Sequence, residues 1–477
     1  MDWWFKKAHF SWVLAFCGFG FVFGVWLAAI FRVDLWWLFF GVAFTVVSII
    51  FKSYLLIVFG VVGSVCIGLA YGSQVKGTST IYSGLVDKTV VLTGNVRDDP
   101  SKSSGGQCVF QLNSIVVYEH SLPGSVLVTA PCRDALRGDT LTVEGSFGEG
   151  FGSFLGSMYR AKVVSVVRPF PGDIGRRVRD WFADKVREAI KDPQASLGIG
   201  FLTGQKSALP DDLAEAMKVV GLTHIVVASG YNLTILVRMA RRLFVRSSRY
   251  LSIVSAGFMV VAFMSVTGLS PSMARAGLVS GLSLLVWYYG GVFHPFVLLS
   301  IAATTTVALQ PYYAWGDLGW QLSFAAFTGV MIVAPLLQKY FFGEKEPGSL
   351  RQILGETVSA HLVTLPIIAG GFGVMSNVAV VANLLVVPLV PLAMLLTFIV
   401  GLLVIFGLPP FIVSVPTEWL LEYMTTISTY LSELSWAQSQ VDIPPWGWGI
   451  YIMVLMIACY LMKRATSTDL RAHNLIL

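Results

Sequence analysis

The chain has 477 residues, of which 55% are hydrophobic and only 13% are charged. Soluble domains are about a quarter charged, so this composition excludes a protein that is wholly dissolved in water. The net charge of +6 could indicate nucleic acid or anionic lipid as a partner, but helical membrane proteins also collect Lys and Arg in cytoplasmic loops. The simpler interpretation is an integral membrane protein with basic loops.

Three apolar runs near the N-terminus, at about 10–31, 35–51 and 54–71, are each long enough to cross a bilayer as a helix. Lys6 and Lys7 precede the first run, and basic residues before a first span favour a cytoplasmic N-terminus. Three crossings then place the polar segment that follows outside the cytoplasm.

Residues 76–170 consist of short runs of β-branched residues separated by Gly, Pro, Asp and Ser. Five such runs predict five strands, which favours a small all-β barrel with an OB-fold as the leading candidate. The nine basic and eight acidic residues of this segment nearly balance, so it lacks the basic footprint of a nucleic-acid-binding domain and is interpreted as a scaffold or partner contact. Cys108 and Cys132 are the plausible disulfide pair, because a disulfide persists outside the cytoplasm.

The segment after the β domain is amphipathic and then returns to apolar runs. Residues 173–191 predict a helix that lies on the membrane surface or links two domains, and 193–221 contain two segments expected to be re-entrant or interfacial. Residues 411–436 carry three Glu and could cross or lie flat. Beyond the run that starts at Leu222, further spans are predicted near 250–269, 272–289, 295–310, 318–342, 352–371, 378–407 and 447–463.

A cluster of arginines with no acidic residue among them follows the run that starts at Leu222. Its members are Arg238, Arg241, Arg242, Arg246 and Arg249. Such a cluster marks the cytoplasmic end of a span, which agrees with an external location for residues 76–170. The charged loop at 339–351 is assigned to the cytoplasmic side by the same count of crossings.

The predicted fold is therefore a polytopic α-helical membrane protein of about 10–12 spans, with a small all-β, OB-like extracytoplasmic domain after the third span. No CxxC or HxH spacing occurs, so neither a metal site nor a cofactor is predicted. The predicted organisation is N-terminal transmembrane helices at 1–75, the β domain at 76–170, interfacial or amphipathic helices at 171–221, a large transmembrane domain at 222–464 and a cytoplasmic tail at 465–477.

Polar side chains inside a bilayer are costly, so they mark either a wet path or contacts between helices. In the first span of the large transmembrane domain, His224, Ser229 and Asn232 fall on one arc of a helix. Gly230 could loosen this helix and expose carbonyl groups. We predict that these residues line a path; the alternative is a histidine that packs against a neighbouring helix.

Three further spans carry candidate lining residues. Arg275 follows Pro271, and because a guanidinium stays charged it must meet an acid, backbone carbonyls, a lipid phosphate or a passing anion. The alternative is that the Arg275 side chain extends along the helix until its charge reaches the lipid headgroups. Gln321 shares a helical face with Asp317. The alternative to lining a path is that these residues form hydrogen bonds between helices. Asn383 lies in a span that two prolines are expected to break.

Four motifs in the second half of the chain carry a family resemblance: GLTHIVVASG, SPSMARAGL, DLGWQLSF and NLLVVPLVPL. In this order and spacing they resemble the membrane channel domain of the ComEC family of competence DNA-uptake proteins, and the resemblance covers about residues 60–464. It implies a channel, not an enzyme, that translocates one DNA strand across the cytoplasmic membrane during natural transformation. The positions that match the family's recurring residues are His224, Ser229, Gly230, Pro271, Arg275, Gln321, Ser323 and Asn383.

The resemblance also implies partners. These are single-stranded DNA, membrane lipid, a DNA-receptor protein outside, and a separately encoded helicase or motor and nuclease; the channel could assemble as a homo-oligomer. In such a channel Arg275 could meet phosphates, and Tyr231 and Trp320 could stack on passing bases.

The chain departs from the family pattern in two ways. The family usually has a hydrophobic residue and then a histidine after Ser229 and Gly230, whereas Tyr231 and Asn232 stand here. This puts any proton-linked or metal-linked role of that histidine in doubt. The second departure is that no HxHxDH run of a metallo-β-lactamase-like nuclease domain occurs, so we expect a separate nuclease to degrade the other strand.

A small-solute secondary transporter is the alternative function. That class predicts inverted internal repeats and a buried acid–base pair for ion coupling. No repeat is visible, and Glu356 with His361 is the candidate pair. A membrane scaffold would explain neither Arg275 nor the broken helices.

Overall fold

The structure is a computed structural model, and the chain divides into two units. Unit 1 comprises Met1–Ile174 with Gly268–Trp320, and unit 2 comprises Gly175–Thr267 with Gln321–Leu477. The residues that the structure describes are 10–51, 54–102, 106–132, 134–205, 209–226, 230–268, 270–290, 294–343 and 348–466.

The described chain is mostly helical, with one cluster of strands near the N-terminus. In chain order the helices are α1 (Phe10–Leu27), α2 (Trp36–Phe51), α3 (Tyr54–Ser83), α4 (Ile174–Arg187), α5 (Gln194–Thr203), α6 (Asp211–Val219), α7 (Thr223–Val226), α8 (Gly230–Phe244), α9 (Arg249–Thr267), α10 (Pro271–Tyr288), α11 (Pro295–Leu309), α12 (Tyr312–Gly316), α13 (Leu318–Thr328), α14 (Ala334–Phe342), α15 (Ser349–Phe372), α16 (Ala379–Val386), α17 (Val390–Ile405), α18 (Phe411–Ser432) and α19 (Pro445–Thr466). The strands are β1 (Thr89–Val96), β2 (Ser101–Lys102), β3 (Gln107–Val117), β4 (His120–Leu122), β5 (Val126–Pro131), β6 (Thr140–Glu149), β7 (Gly156–Met158), β8 (Lys162–Val167), β9 (Val374–Ser376) and β10 (Gln438–Gln440).

Six of the described helical segments are long and apolar enough to cross a membrane. They are Ile57–Ser83, Arg249–Thr267, Leu318–Phe342, Leu350–Phe372, Ala379–Ile405 and Trp446–Thr466. Three shorter apolar helices are Ser11–Leu27, Trp36–Val47 and Pro295–Leu309. The prediction of a polytopic helical membrane protein is thereby confirmed, whereas the count of 10–12 spans stays a prediction.

In unit 1, α1 and α3 pack closely because glycines face each other. A Cβ atom on Gly24 would meet the carbonyl oxygen of Val65, and one on Gly68 would meet the carbonyl oxygen of Phe21. Each of these glycines has a second glycine four residues away on its own helix. Such small-residue faces let helix backbones approach in a membrane, where no hydrophobic force drives helices together.

The β domain of unit 1 is a closed barrel. The strand order β1–β3–β5–β7–β6 closes because β1 also pairs with β6, and β8 adds to the other edge of β6. Along β1 buried and exposed residues alternate, as expected when one face of a strand fills a core. Phe110, Phe147 and Leu141 are fully buried in that core. A disulfide joins Cys108 on β3 to Cys132, just beyond β5.

Unit 2 is built around α5, whose residues from Ala195 to Thr203 are all buried. It packs against α17 and α18. Close packing depends on its glycines, since a Cβ atom on Gly198 would lie 2.6 Å from Oγ1 of Thr397. A ten-residue helix is about 15 Å long, so it cannot cross a bilayer alone and is instead enclosed by protein.

The amphipathic helix α4 presents its apolar residues in two directions. Val178 and Trp181 are exposed, whereas Ala183 and Val186 are buried. Arg179 is also buried and forms an ion pair with the neighbouring Asp180 at 2.9 Å. The exposed apolar pair is compatible with contact to lipid, and the location of α4 on the membrane surface stays a prediction.

Two long helical segments are interrupted near proline. A π-helical turn, Gly329–Val333, separates α13 from α14, and Pro335 is the second residue after it. A proline ring collides with the carbonyl group four residues earlier and lacks an N–H, so the preceding turn widens. A 3-10 turn, Val387–Leu389, likewise separates α16 from α17. This interruption agrees with the predicted break after Asn383.

Candidate functional site

Two candidate residues of the first predicted span of the large transmembrane domain lie on described helices. His224 lies on α7, and Gly230 is the first described residue of α8. Ser229 lies outside the described residues.

The side-chain amide of Asn232 connects α8 to two other helices. It is fully buried, and Nδ2 donates to the carbonyl oxygens of Phe201 at 3.0 Å and Ile225 at 3.3 Å. Phe201 lies in the last turn of α5, where carbonyl groups lack helical partners, and Ile225 lies in α7. Asn232 therefore joins α8 to α5 and α7. Whether it also lines a path stays a prediction.

His224 is held at a turn that packs on α16. Its Nδ1 lies 2.9 Å from the carbonyl oxygen of Gly221, which can only accept, so Nδ1 carries the proton and Nε2 is left as an acceptor when the ring is neutral. Gly221 has φ +75°, and a Cβ atom there would lie 3.0 Å from Cβ of Ala379. Asn383 follows Ala379 by one turn on the same face of α16.

Asn383 is partly buried, but its Oδ1 atom is fully buried. Within the described part of the chain this oxygen accepts no hydrogen bond. A buried amide oxygen normally has a hydrogen-bond partner, so Oδ1 of Asn383 is a polar atom that the described residues leave unsatisfied. The structure thus brings the turn of His224 and the face of Asn383 together in unit 2.

Gln321 and Ser323 lie on α13 and are partly exposed. Asp317, predicted to share a helical face with Gln321, caps this helix. Its Oδ1 accepts a hydrogen bond from the backbone N–H of Trp320 at 2.7 Å. Trp320 is only 8% exposed, and its indole N–H donates to Thr306 at 3.0 Å. Tyr231, by contrast, is 46% exposed. Of the two aromatic residues considered for base stacking, only Tyr231 presents much of its ring.

Pro271 and Arg275 belong to unit 1. Pro271 opens α10, and Ser270 caps the helix by accepting a hydrogen bond from the backbone N–H of Met273 at 3.3 Å. Arg275 follows in the second turn and is partly buried. Arg275 therefore lies near the N-terminal end of α10. This end lies close to the β domain, because Gly268, just before the helix, contacts that domain.

The β domain touches the start of α10 through a buried arginine. A Cβ atom on Gly268 would lie 2.9 Å from Nη1 of Arg137. Arg137 is itself buried and forms an ion pair with Asp173 at 2.5 Å. Glycine is needed at position 268 for two reasons. Arg137 leaves no room for a Cβ atom, and the backbone has φ +93°, which L side chains rarely adopt.

The β domain also touches the segment that joins α11 to α13. Nη2 of Arg97 donates to the Tyr313 hydroxyl at 2.7 Å, and the Ser153 hydroxyl donates to Oδ2 of Asp317 at 3.1 Å. Burial alone would lower the pKa of the Arg97 guanidinium, but Tyr313 and the carboxylates of Asp98 and Asp317 offset this, and the pKa is raised. No local pattern predicts these contacts, because they join residues more than 150 positions apart.

The two groups of candidate residues belong to different units. His224, Gly230, Asn232, Gln321, Ser323 and Asn383 lie in unit 2, and Pro271 and Arg275 lie in unit 1. Among the described residues, no group of three or more His, Cys, Asp or Glu side chains could hold a metal ion. Among the candidate residues, the chemistry on offer is therefore hydrogen bonding and the positive charge of Arg275.

Several apolar helical spans and a closed β barrel together define a polytopic membrane protein with one all-β domain. Residues 201–465 match the family model described as Competence protein, which is more than half of the chain. The chain therefore belongs to this competence protein family, the ComEC family that its motifs resemble.

The chain is also similar to ComE operon protein 3 of Bacillus subtilis (strain 168). The two are 25% identical over 222 residues, which is 45% of this chain and 27% of that protein. The matched segment thus spans about a quarter of the length of this relative. No solved structure matches the chain.

Proposed function

We propose that the protein is a channel, and not an enzyme, through which one strand of DNA crosses the cell membrane into the cytoplasm during natural transformation. Membership of the competence family, over residues 201–465, is the observation that carries this proposal and supports a role in DNA uptake. Apolar spans that contain polar residues support a conduit, because such residues usually face a wet cavity or a helix contact.

The proposed path is lined by His224, Ser229, Gly230, Asn232, Pro271, Arg275, Gln321, Ser323 and Asn383. Arg275 contributes a permanent positive charge that attracts phosphates without regard to sequence. The exposed ring of Tyr231 offers a surface on which bases stack. Nε2 of His224 offers an acceptor for the amino groups of bases.

The β domain is proposed to lie outside the cytoplasm and to be of the OB type. A five-stranded closed barrel supports the fold type, and its disulfide supports an oxidising compartment. There it would contact a DNA-receptor protein, while a separately encoded motor and nuclease act on the strands. A reporter fused at residue 120 should be active only outside the cytoplasm; activity inside would refute this topology.

The channel proposal is tested with a deletion strain in which DNA binding and DNA internalisation are scored separately. Internalisation should be lost and surface binding kept. In the restored strain, Arg275→Ala should reduce internalisation at normal protein abundance, and Arg275→Lys should restore it only in part, because a point charge lacks the bidentate guanidinium fork. Arg464→Ala, at an exposed arginine outside the proposed path, is the matched control. Normal transformation of the deletion strain would refute the channel.

The solute-transporter alternative would require Glu356 and His361 to act together. The Glu356 carboxylate accepts a hydrogen bond from Gln352, one turn earlier, at 2.9 Å. In the described part of the chain no ion pair joins Glu356 to His361. No observation therefore favours this alternative over DNA translocation.

A further inference from the structure

The hairpin of α8 and α9 carries a concentrated positive charge. The two helices pack against each other in unit 2 and are joined by only four residues, 245–248. Four arginines at this end are exposed: Arg238, Arg242, Arg246 and Arg249. No Asp or Glu occurs between Glu215 and Asp317 in the sequence. Among the described residues, no ion pair includes any of these four arginines.

A stripe of exposed apolar residues on α9 begins beside these charges. Tyr250, Val254, Phe258 and Val261 follow each other at steps of four, four and three residues, which places them on one face, and they are between 47% and 66% exposed. The protein buries only 22% of this span, so the stripe faces lipid. Arg249 is the first residue of the span and therefore lies at the depth of the headgroups.

We propose that this hairpin binds an anionic phospholipid. The guanidinium groups of Arg242, Arg246 and Arg249 bind the headgroup phosphate, and an acyl chain lies along the stripe from Tyr250 to Val261. Arginine suits this role because its planar fork matches phosphate oxygens and is weakly hydrated. The site combines a charged end with an apolar face, which is the shape of one lipid molecule.

A nucleic acid would satisfy the arginines but not the apolar residues around them. Besides the stripe, Leu243, Phe244 and Val245 are exposed between the arginines, and the aromatic Phe244 is the least exposed of the three, at 36%. Aliphatic side chains offer no flat surface on which bases stack, and strand-binding grooves depend on aromatic residues for that purpose. Tyr250 and Phe258 are aromatic, but they belong to the stripe on α9. The observations therefore favour lipid over DNA at this hairpin.

The test uses the purified full chain in neutral detergent, with phosphatidylglycerol or phosphatidylcholine added. Native mass spectrometry measures the bound lipid. The wild-type chain should retain phosphatidylglycerol in preference to phosphatidylcholine. Replacing Arg242, Arg246 and Arg249 by Gln together should weaken phosphatidylglycerol binding about a hundredfold, since each arginine near a membrane surface contributes about fivefold. The single variant Arg246→Gln, in the turn between the helices, should weaken it about fivefold and leaves both helices intact.

The matched control replaces three exposed basic residues of the β domain, Lys88, Arg160 and Lys162, by Gln, and should bind lipid as the wild type does. Equal retention of the two lipids by the wild type would overturn the proposal. So would unchanged phosphatidylglycerol binding by the folded triple variant. If that variant instead loses affinity for a single-stranded thymidine oligonucleotide while keeping its lipid preference, the hairpin is a nucleic-acid site and the proposal is wrong.

Discussion

Asn232 gives the sharpest test of whether an intramembrane polar residue lines a path or holds the fold. Its amide donates two hydrogen bonds to carbonyls of α5 and α7. Asn232→Leu keeps the size of the side chain and removes both donors. Hydrogen bonds between membrane helices contribute about 0.6 kcal/mol on average and up to about 1.7 kcal/mol, so the loss should be about 1–3 kcal/mol.

The other substitutions at this position should follow the number of donors. Asn232→His restores the residue that the family usually carries and keeps one N–H donor in the neutral ring, so it should lose about half as much stability. Asn232→Asp places carboxylate oxygens against the two carbonyl oxygens and should lose the most. The expected order of stability is Asn, His, Leu and then Asp.

The assay is thermal unfolding of the purified chain in detergent, followed by size-exclusion chromatography. For a unit of a few hundred residues, each kcal/mol of lost stability lowers the melting temperature by about 2–4 °C. Asn232→Leu should therefore lower the melting temperature by about 5 °C. DNA internalisation is scored in the same variants at matched abundance. An unchanged melting temperature for Asn232→Leu would refute the structural role. If internalisation were lost at the same time, Asn232 would be a lining residue instead.

Three further predictions concern single contacts. Tyr451→Phe should lower stability by about 1 kcal/mol, because the Tyr451 hydroxyl donates a hydrogen bond at 2.9 Å to the carbonyl oxygen of Leu362. This carbonyl has no helical partner, since the residue four positions later, Pro366, lacks an N–H. An unchanged melting temperature would contradict this prediction. Gly68→Ala should lower stability by about 1–3 kcal/mol through a clash with the backbone of α1. Gly77→Ala is the control and should be neutral, because no atom from the rest of the described chain lies within 4 Å of the Cβ position at Gly77. Equal effects of the two substitutions in a melting assay would refute the packing argument. Cys108→Ser should destabilise the barrel by about 3 kcal/mol, because the disulfide closes a loop across a separation of 24 residues; protein isolated without reductant should show no free thiol at this position in the wild type.

Hydropathy predicted most helix positions but not all of their ends. The predicted span near 295–310 corresponds to Pro295–Leu309, where a proline opens the helix and the apolar run closes it. The third predicted span ended near residue 71, yet α3 continues to Ser83. Hydropathy reports where a helix leaves lipid, and a helix can continue through polar residues such as Lys76 beyond that point.

The contacts that organise the site could not be read from local pattern. Asn232 lies 31 residues from Phe201 and seven from Ile225, and no periodicity links an amide to carbonyls at such separations. The proline breaks were visible, since proline removes a donor wherever it stands.

Breaks in the membrane helices sort the polar residues into two kinds. Each interruption frees carbonyl groups that hydrocarbon cannot satisfy, and some polar side chains serve those groups. Asn232 and Tyr451 are of this kind, because their donors are bound to carbonyls at a helix end or at a proline. Asn383 is of the other kind, since its buried Oδ1 accepts no hydrogen bond from the described residues. The Asn383 side chain as a whole is only partly buried, so the lining of the proposed path is to be sought first along α16, beside the turn of His224.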